Sequence, residues 1–434
     1  MSEPLDTDAR PRVVVIGAGF GGLQVARKLA GEDVDVLLLD RANYHLFLPL
    51  LYQVASSLLN PSDIATPIRS IVRKWENVEF RLGEVISIDF EGRSVETEEG
   101  ARIDWDWLVI AAGSRTNFFG LESVERTAIG LKDLPDAIVL RNHVLSCYEE
   151  ASKIEDPDER RRWLTFVVAG GGPTGVEYAG ALSELEKVVA REDYPGLDIG
   201  TSRVVLVEAA DRILLDFPPE LGAYAQEELE SKGVEVRTST PVNGVRDHAI
   251  ELADGETIEA RTLVWAAGVV PEDLARSASV PRAPDGRIRV DPELRIEGRE
   301  RAFAIGDIAW VEHDGEPLPM IAPPAMQEGR HVAANVLRAV REEPMAPFRY
   351  HDKGLMATIG RNHGIAVRGR MKLKGFLGWI AWLVIHLYYL IGFRNRIAVL
   401  AGWMWDYFKL DRPIRIIARG KPSARRAAEY AESD

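Results

Sequence analysis

Short apolar runs, each followed by glycines, recur along the chain and predict its main elements. Residues 13–16 form the first run, and a continuous apolar run of this length is typical of a strand buried on both faces. Three glycines follow in G-x-G-x-x-G spacing, namely Gly17, Gly19 and Gly22. Residues 23–30 then have helix-forming composition, and a second apolar run over residues 34–39 ends at Asp40. This order of strand, glycines, helix, strand and acid predicts a dinucleotide-binding unit.

The spacing of these glycines has a physical reason. The first glycine makes the tight turn out of the strand, the second lets backbone N–H groups reach a pyrophosphate, and the third lets helix and strand touch. The pyrophosphate then lies at the helix N-terminus, where the helix dipole favours an anion. At the end of the second strand, the Asp40 carboxylate can accept hydrogen bonds from an adenosine ribose.

The same pattern returns roughly 150 residues further along the chain. An apolar run over residues 164–169 precedes a second set of spaced glycines, Gly170, Gly172 and Gly175. Residues 176–185 predict a helix, and a strand over residues 204–207 follows an insertion that spans residues 186–202. Two such fingerprints in one chain are far more specific than one. They predict one tightly held dinucleotide and one that diffuses in and out.

The residues after the second fingerprint indicate which nucleotide binds there. Its strand ends at Glu208, and a carboxylate at this position favours the free ribose 2′-hydroxyl of NAD. The 2′-phosphate of NADP would require an arginine, whereas Ala209 and Ala210 follow Glu208. NADH is therefore preferred over NADPH.

Other stretches predict strands that end in small residues. They cover residues 104–113, 262–268 and 302–307, and their ends include Ala112, Gly113, Gly268, Gly306 and Asp307. The amide at Gly306 can reach a phosphate and the Asp307 carboxylate a ribityl hydroxyl, although Gly-Asp alone is also a common turn.

Residues 133–163 predict a helical connection. Residues 43–55 are apolar, with Pro49 preventing a long helix, and they either line the far end of the cofactor or pack in the core.

Composition excludes several classes of protein. A chain of 434 residues is longer than one hydrophobic core usually spans, so two or three domains are expected. The single cysteine, Cys147, excludes an internal disulfide, a redox-active cysteine pair and a cysteine-dependent reductase. The eight histidines show no ligand spacing, so no metal is expected. The polar, acidic start is no secretory signal, which favours the cytoplasm.

The C-terminal part is basic and aromatic, although the whole chain has a net charge of −14. Residues 351–434 contain 15 Lys and Arg against 6 Asp and Glu, which favours a membrane surface over nucleic acid. Residues 375–393 contain no charged side chain, and their length is close to the ~20 residues that span a bilayer. However, Gly392 interrupts this stretch, and Arg394 and Arg396 end it.

Residues 372–409 are therefore predicted to form two amphipathic segments that lie in one leaflet. Aromatic residues of the kind found at a headgroup boundary recur in them: Trp379, Trp382, Tyr388, Tyr389, Trp403, Trp405, Tyr407 and Phe408. The alternative is that the two segments form a buried dimer interface, and both uses can coexist.

The ordered motifs resemble those of one superfamily. They read VVVIGAGFGG, LVIAAG, VVAGGGPTGVEYAGAL, TLVWAAG and FAIGD. Together they resemble the pyridine nucleotide-disulfide reductase superfamily, and within it the single-subunit type II NADH:quinone dehydrogenases. The more specific parts are NYHLFLPLLYQVA, TGVEYAGAL, the Met326-Gln327 segment and WLVIHLYYLIGFRNR. The resemblance runs from about residue 11 to about residue 418.

The resemblance implies an α/β fold with two Rossmann-type domains and a C-terminal membrane-attachment module. Residues 11–125 and 286–350 would form an FAD-binding domain that is split in sequence, residues 126–285 an NADH-binding domain, and residues 351–434 the C-terminal module. FAD would contact Gly17, Gly19, Gly22, Asp40, Arg41, Ala112, Gly113, Gly306 and Asp307. NADH would contact Gly170, Gly172, Gly175, Glu208 and Gly268.

The family pattern also implies two catalytic residues. Glu177 in TGVE would lie near the nicotinamide and the flavin ring, where its carboxyl could position NADH and relay protons; otherwise it is a first-turn residue favoured by the helix dipole. The family commonly has Ala-Gln-x-Ala-x-Gln where this chain has Ala322, Pro323, Ala325 and Gln327. Gln327 matches the second glutamine, and Pro323 replaces the first, which is associated with the quinone.

The sequence therefore predicts a peripheral, homodimeric enzyme on the cytoplasmic face of the cell membrane. It would oxidise NADH through FAD and reduce a membrane quinone without pumping protons. Two alternatives remain open. The replacement at Pro323 favours a reductase that passes electrons to a ferredoxin-like protein or to oxygen. The other is an NADH-responsive flavoprotein that acts through a partner.

Overall fold

Two parallel five-stranded sheets form the frame of the protein. The computed structural model describes residues 10–197, 202–274, 279–409, 412 and 414–417. The first sheet has the spatial order Ala302–Ala304, Trp107–Ile110, Arg12–Ile16, Asp35–Asp40 and Val78–Leu82. The second has the order Ile129–Gly130, Thr262–Trp265, Thr165–Ala169, Arg203–Val207 and Val234–Arg237. In each sheet, the strand that leads into a G-x-G-x-x-G fingerprint is central.

The central strands are buried on both faces, which explains their unbroken apolar sequences. Val13 pairs with Val36 on one side and with Trp107 on the other. The helix after the first fingerprint, Phe20–Leu29, crosses the helix Ala322–Val340 closely: a Cβ added at Gly329 would lie 2.3 Å from the Gly21 carbonyl oxygen. The helix begins at Phe20, about one turn before the predicted residue 23, and it includes Gly21 and Gly22 of the fingerprint.

The second fingerprint opens the helix Pro173–Glu192, which is longer than the predicted span of 176–185. Residues 186–192 are mostly good helix formers, so the predicted insertion begins as a continuation of this helix. The helix Pro219–Ser231 also belongs to this half. The expected helical connection between the two halves is observed as Leu134–Ala151 and Pro157–Trp163.

Each half also carries a three-stranded antiparallel sheet. These are Val85–Asp89, Ser94–Thr97 and Arg102–Asp104 in one half, and Val242–Arg246, Ala249–Leu252 and Thr257–Glu259 in the other. One antiparallel pair, Ser114–Thr116 with Val269–Pro271, joins the ends of strands from both halves. Shorter elements are Pro61–Ile64, Ala65–Pro67, Ile68–Val72, Glu122–Thr127, Ile288–Arg289, Gly306–Ile308, Ala309–Trp310, Glu312–His313 and Glu316–Pro317.

Residues 50–55 are buried in the core, which supports core packing, one of the two alternatives that the sequence left open. Residues 43–55 form the strand Tyr44–Leu46, the 3-10 turn Leu48–Leu50 and the helix Leu51–Ala55, and the break at Pro49 is where the sequence predicts it. Leu50 and Val54 are fully buried. They share one hydrophobic cluster with side chains of the second sheet and of the C-terminal helices.

The C-terminal part consists of a small sheet followed by two helices. The strands Leu355–Thr358, Gly364–Arg368 and Met371–Lys374 pair antiparallel, and the helices Gly375–Tyr389 and Phe393–Lys409 follow. We call these two the C-terminal helices. The first lies directly against the sheet, since a Cβ added at Gly378 would be 2.3 Å from the Gly364 carbonyl oxygen. None of the described helices has the length and apolar character to cross a membrane. The question of order in residues 419–434 falls outside the described residues.

Candidate active site

The first glycine loop has the shape that a diphosphate requires. Gly17 has φ +99°, and a Cβ there would lie 2.3 Å from the Ala111 carbonyl oxygen. A Cβ at Gly22 would lie 1.8 Å from the Gly17 carbonyl oxygen. In contrast, a Cβ at Gly19 would meet no heavy atom within 4 Å, so this face of the loop is open. The loop therefore fits the pyrophosphate of a dinucleotide such as FAD at the start of the helix.

The second glycine loop repeats this geometry. Gly170 has φ +111°, and a Cβ there would lie 2.6 Å from the Ala266 carbonyl oxygen. A Cβ at Gly175 would lie 1.9 Å from the Gly170 carbonyl oxygen, whereas one at Gly172 would meet nothing within 4 Å. The chain thus presents two equivalent open loops, each at the carboxyl edge of its own parallel sheet.

An acid fixes each loop to the neighbouring strand in the same way. Asp40 accepts the Ala18 N–H at 2.6 Å and the Ala42 N–H at 2.7 Å. Its counterpart Glu208 accepts the Gly171 N–H at 2.5 Å and the Ala210 N–H at 2.7 Å. The insertion before Glu208 therefore does not displace it from the position that Asp40 has in the first half.

Both acids retain capacity for a ribose. Each carboxylate oxygen has a second lone pair, so a ribose hydroxyl can bind beside the backbone donor. Burial raises the pKa of Asp40, and the two backbone hydrogen bonds oppose that change. Arg41, the next residue, is exposed and forms ion pairs with Glu272 at 2.8 Å and with Glu84 at 3.7 Å.

The parallel strands Trp107–Ile110 and Ala302–Ala304 bring Gly113 and Asp307 to the same sheet edge. Asp307 accepts a hydrogen bond from the Ser114 hydroxyl and lies 3.6 Å from the Lys132 ammonium. Lys132 also donates to Ser114 at 2.8 Å. The sequence analysis missed Ser114 and Lys132, because neither belongs to a recognisable motif.

Glu328 is a third residue that the sequence analysis missed. Its Oε2 accepts the Gly306 N–H at 2.6 Å, and its side chain is buried. Burial raises the pKa of Glu328 to about 7. Glu328 thereby holds the backbone of the predicted Gly306 and Asp307 turn. On the other half, Gly268 has φ +117°, and its carbonyl accepts the Asn117 N–H at 3.1 Å.

Glu177 lies buried in the second turn of the helix Pro173–Glu192, so the alternative of a first-turn residue is not observed. Its Oε1 accepts the Thr358 N–H at 3.2 Å and the Trp382 indole N–H at 3.1 Å. Burial raises the pKa of Glu177 to about 8, and the two hydrogen bonds partly oppose this. Burial therefore favours the protonated form of this carboxyl.

A chain of buried hydrogen bonds continues from Thr358. Its hydroxyl lies 3.0 Å from the Tyr52 hydroxyl, to which the Gln53 amide donates at 2.9 Å. The Gln53 side-chain oxygen Oε1 accepts the Trp403 indole N–H at 2.8 Å. Elements from both halves and both C-terminal helices therefore meet around the Glu177 carboxyl.

The placement of Trp382 and Trp403 corrects one prediction. Both were expected among the aromatic residues at a headgroup boundary, but they are 1% and 9% exposed and point inward. The imidazole of His386 stacks on Trp382 at 4.0 Å between ring centroids, and burial lowers the pKa of His386 to about 4. The inward face of the first C-terminal helix thus closes over the buried acid.

Gln327 is turned toward the backbone of His351. Its amide donates to the His351 carbonyl at 3.1 Å and accepts the His351 N–H at 3.0 Å. Pro323 lies at the start of the same helix, and its carbonyl also accepts from Gln327, at 3.3 Å. Within the described part of the chain, no hydrogen bond joins Gln327 to Glu177.

Two dinucleotide loops on parallel sheets, each held by an acid at the end of the neighbouring strand, are typical of an oxidoreductase that uses two nucleotides. A family model described as "Pyridine nucleotide-disulphide oxidoreductase" matches residues 11–329. The chain is 38% identical over 93% of its length to a type II NADH:quinone oxidoreductase of Mycobacterium tuberculosis, covering 89% of that protein. It is 32% identical over 82% of its length to one of Staphylococcus haemolyticus, covering 90% of that protein. The chain therefore belongs to the type II NADH:quinone oxidoreductases, within the pyridine nucleotide-disulphide oxidoreductase family.

A solved structure shows the same fold. NDH2 from Plasmodium falciparum, in complex with NADH, superposes with a TM-score of 0.86. The match covers 94% of this chain and 100% of the other, at 19% sequence identity. The fold class predicted from the sequence is confirmed by this match and by the two parallel sheets.

Proposed function

We propose that this protein oxidises NADH and reduces a membrane quinone by two electrons, without pumping protons. Membership of the type II family supports the reaction, and the two open glycine loops support the use of two dinucleotides. FAD, when bound, supplies the centre that accepts a hydride and passes electrons on. The protein contributes binding, orientation, exclusion of water and control of protons.

We assign FAD to the first loop and NADH to the second. Asp40 and Glu208 would receive the two adenosine riboses, and Asp307, held by Ser114 and Lys132, would face the sugar chain of FAD. The strand Ala302–Ala304 pairs into the first sheet, which supports an FAD-binding domain formed by residues 11–125 and 286–350. Residues 126–285 would form the NADH-binding domain.

The observation that carries the proposal is the buried Glu177 carboxyl. The overall reaction, NADH + H⁺ + quinone → NAD⁺ + quinol, consumes one proton. Burial raises the pKa of Glu177 to about 8 and so favours its protonated form. Its position beneath Trp382 also excludes bulk water. We assign Glu177 to proton delivery toward the quinone and Gln327 to the neighbouring wall of the site.

Attachment to a membrane is supported by the exposed faces of the C-terminal helices. Large apolar residues recur there at helical spacing: Phe376, Leu377, Ile380, Val384, Tyr388, Phe393, Ile397, Leu400, Met404 and Phe408 are all exposed. The first helix is apolar on both faces, since Trp382 lies on its buried side. An exposed apolar surface of this kind marks a membrane or protein contact. We propose peripheral attachment to the cytoplasmic face, with a homodimer contact as the other use of this surface.

Anaerobic stopped-flow tests the proposed reaction. The purified FAD-loaded protein is mixed with NADH, and a short-chain quinone in detergent is then added. We expect the flavin absorbance to bleach and then to return rapidly. If the flavin absorbance stayed bleached with quinone but returned with a ferredoxin-like protein or oxygen, the alternative that the Pro323 replacement favours would be established. Failure to bleach would remove the NADH assignment as well.

A further inference from the structure

A wide groove lies beside the site on the outer face of the first dinucleotide helix. Its volume is about 1160 Å³. One wall is formed by one face of the helix Phe20–Leu29, residues 74–77 and Arg330, and the other by Tyr388, Tyr389, Gly392 and Arg396 around the turn between the C-terminal helices. The proposed function does not use this groove.

The groove has a surplus of positive charge. Arg27, Lys74 and Arg330 line it, and no carboxylate lies within ion-pair distance of these three among the residues that the structure describes. By contrast, two of the acids in the groove are neutralised: Asp33 pairs with Arg10 at 2.9 Å and Glu32 with Arg341 at 3.0 Å. Glu76 is the remaining acid of the lining. An anion can therefore gain from several cations at once.

A fourth cation is fixed at the turn. Arg396 donates to the Leu390 carbonyl at 2.8 Å and to the Tyr388 carbonyl at 2.8 Å. These bonds hold the guanidinium at the end of the first C-terminal helix. The second wall of the groove therefore has a set position and carries charge of the same sign as the first.

The groove is continuous with the exposed apolar surface. Tyr388 and Tyr389 line the groove, and Tyr388 is 69% exposed at the end of the apolar face of its helix. Phe393, at the start of the next helix, is 80% exposed. A ligand with an anionic head and apolar chains matches this arrangement, because its head can enter the groove while its chains lie along the helices.

We propose that this groove binds the phosphate headgroup of an anionic phospholipid. The inference rests on the membrane attachment proposed above and adds a specific lipid class to it. A free phosphate would gain from the cations but not from the apolar face, so the lipid is the occupant that uses both features. A neutral quinone headgroup would use the apolar residues and gain little from Arg27, Lys74 and Arg330.

The test measures binding of the FAD-loaded protein to vesicles of phosphatidylcholine alone and of phosphatidylcholine with phosphatidylglycerol. The variant Arg27→Gln/Arg330→Gln removes two groove cations. The control Lys28→Gln/Arg73→Gln removes two exposed cations beside the groove and changes the net charge equally. We expect the groove variant to bind phosphatidylglycerol vesicles at least about tenfold more weakly than wild type, and the control less than about twofold. Both variants should keep NADH oxidation with a short-chain quinone in detergent.

Other outcomes separate the two proposals. Equal losses in both variants would mean that diffuse surface charge acts, and this would overturn the groove site. If soluble glycerol phosphate competed for the groove as well as the vesicles do, the groove would be assigned to a soluble anion instead. If the groove variant bound vesicles as wild type does but had a raised KM for a lipid-soluble quinone, the groove would be a quinone entrance. Wild type that binds neither vesicle would remove membrane attachment itself, whereas equal binding to both vesicles would leave attachment standing and remove the lipid site.

Discussion

The Trp382 indole N–H donates to Glu177 at 3.1 Å, although 205 residues separate the two in sequence. Trp382 belongs to the helix whose outer face is proposed to lie on the membrane, and Glu177 belongs to the helix that begins at the second glycine loop. This bond therefore connects the proposed membrane surface directly to the buried acid. It makes the position and protonation of Glu177 depend on how the C-terminal helices dock.

Replacing Glu177 by glutamine should slow quinone reduction by roughly 100-fold, the usual scale for loss of a general acid. The amide keeps an acceptor for Thr358 and Trp382 but cannot deliver a proton. FAD content and the bleaching of flavin by NADH should be retained. The matched control is Glu186→Gln, another acid of the same helix whose pKa burial raises to about 7. Equal rates in wild type and Glu177→Gln would return Glu177 to a structural role.

The rate of quinone reduction should fall as the pH rises through about 8. The reason is that Glu177 loses its proton in this range. The Trp382 hydrogen bond lowers this pKa, so Trp382→Phe, which keeps an aromatic ring but removes the N–H, should move the fall to higher pH. Trp379→Phe serves as the control, because Trp379 stacks on Tyr407 instead. A fall at the same pH in both variants would show that the indole N–H does not tune Glu177.

Replacing Glu208 by glutamine should raise the KM for NADH by roughly tenfold or more, the scale of a lost hydrogen bond to a charged group. FAD should remain bound, because Glu208 belongs to the second loop. The comparison variant is Asp40→Asn in the first loop, which should lower FAD content at an unchanged KM for NADH in the loaded fraction. Cofactor content by absorbance and steady-state kinetics distinguish the two. Similar effects of both changes would contradict the assignment of one nucleotide to each loop.

Glu328 should make the protein less stable as pH rises. Its pKa is about 7 in the folded protein against an ordinary value of 4.5. The folded state therefore binds the proton more tightly, so this stabilisation is complete below about pH 4.5 and is lost as pH rises through about 7. The difference between these two pKa values corresponds to roughly 3 kcal/mol.

Thermal unfolding at pH 5 and pH 8 measures this effect. Glu328→Gln keeps an acceptor for the Gly306 N–H and should show a smaller fall in Tm between the two pH values than wild type. The exposed Glu316→Gln should behave like wild type. The same pH dependence in all three proteins would mean that Glu328 is hydrated in solution.

Alanine at Gly378 should loosen the C-terminal helices, because the added Cβ would lie 2.3 Å from the Gly364 carbonyl oxygen. The first helix would have to move away from the sheet, and Trp382 with it. We expect a lower Tm and slower quinone reduction. Gly402→Ala on the second helix is the control, since its Cβ would meet Leu59 at an ordinary 3.4 Å. If Gly378→Ala changed the Tm and the rate of quinone reduction as little as Gly402→Ala, the first helix would tolerate the displacement.

The sequence by itself determined the two dinucleotide units. Gly17, Gly22, Gly170 and Gly175 are recognisable because positive φ angles and close backbone contacts impose them locally, within a few residues of a buried strand. The same local logic placed Asp40 and Glu208 at strand ends and indicated the helical connection. The family followed from the order of these motifs along the chain.

Only the tertiary structure decided what surrounds Glu177. The first C-terminal helix is apolar on both faces, so its periodicity cannot tell which aromatic residues turn inward. Trp382 and Trp403 are buried because Glu177 and Gln53 provide acceptors for their indole N–H groups, and these partners lie 205 and 350 residues away in sequence. Ser114, Lys132 and Glu328 likewise join Gly306 and Asp307 only when parallel strands bring their ends to one sheet edge. These contacts form where distant residues best satisfy buried polar groups, and no local sequence pattern predicts them.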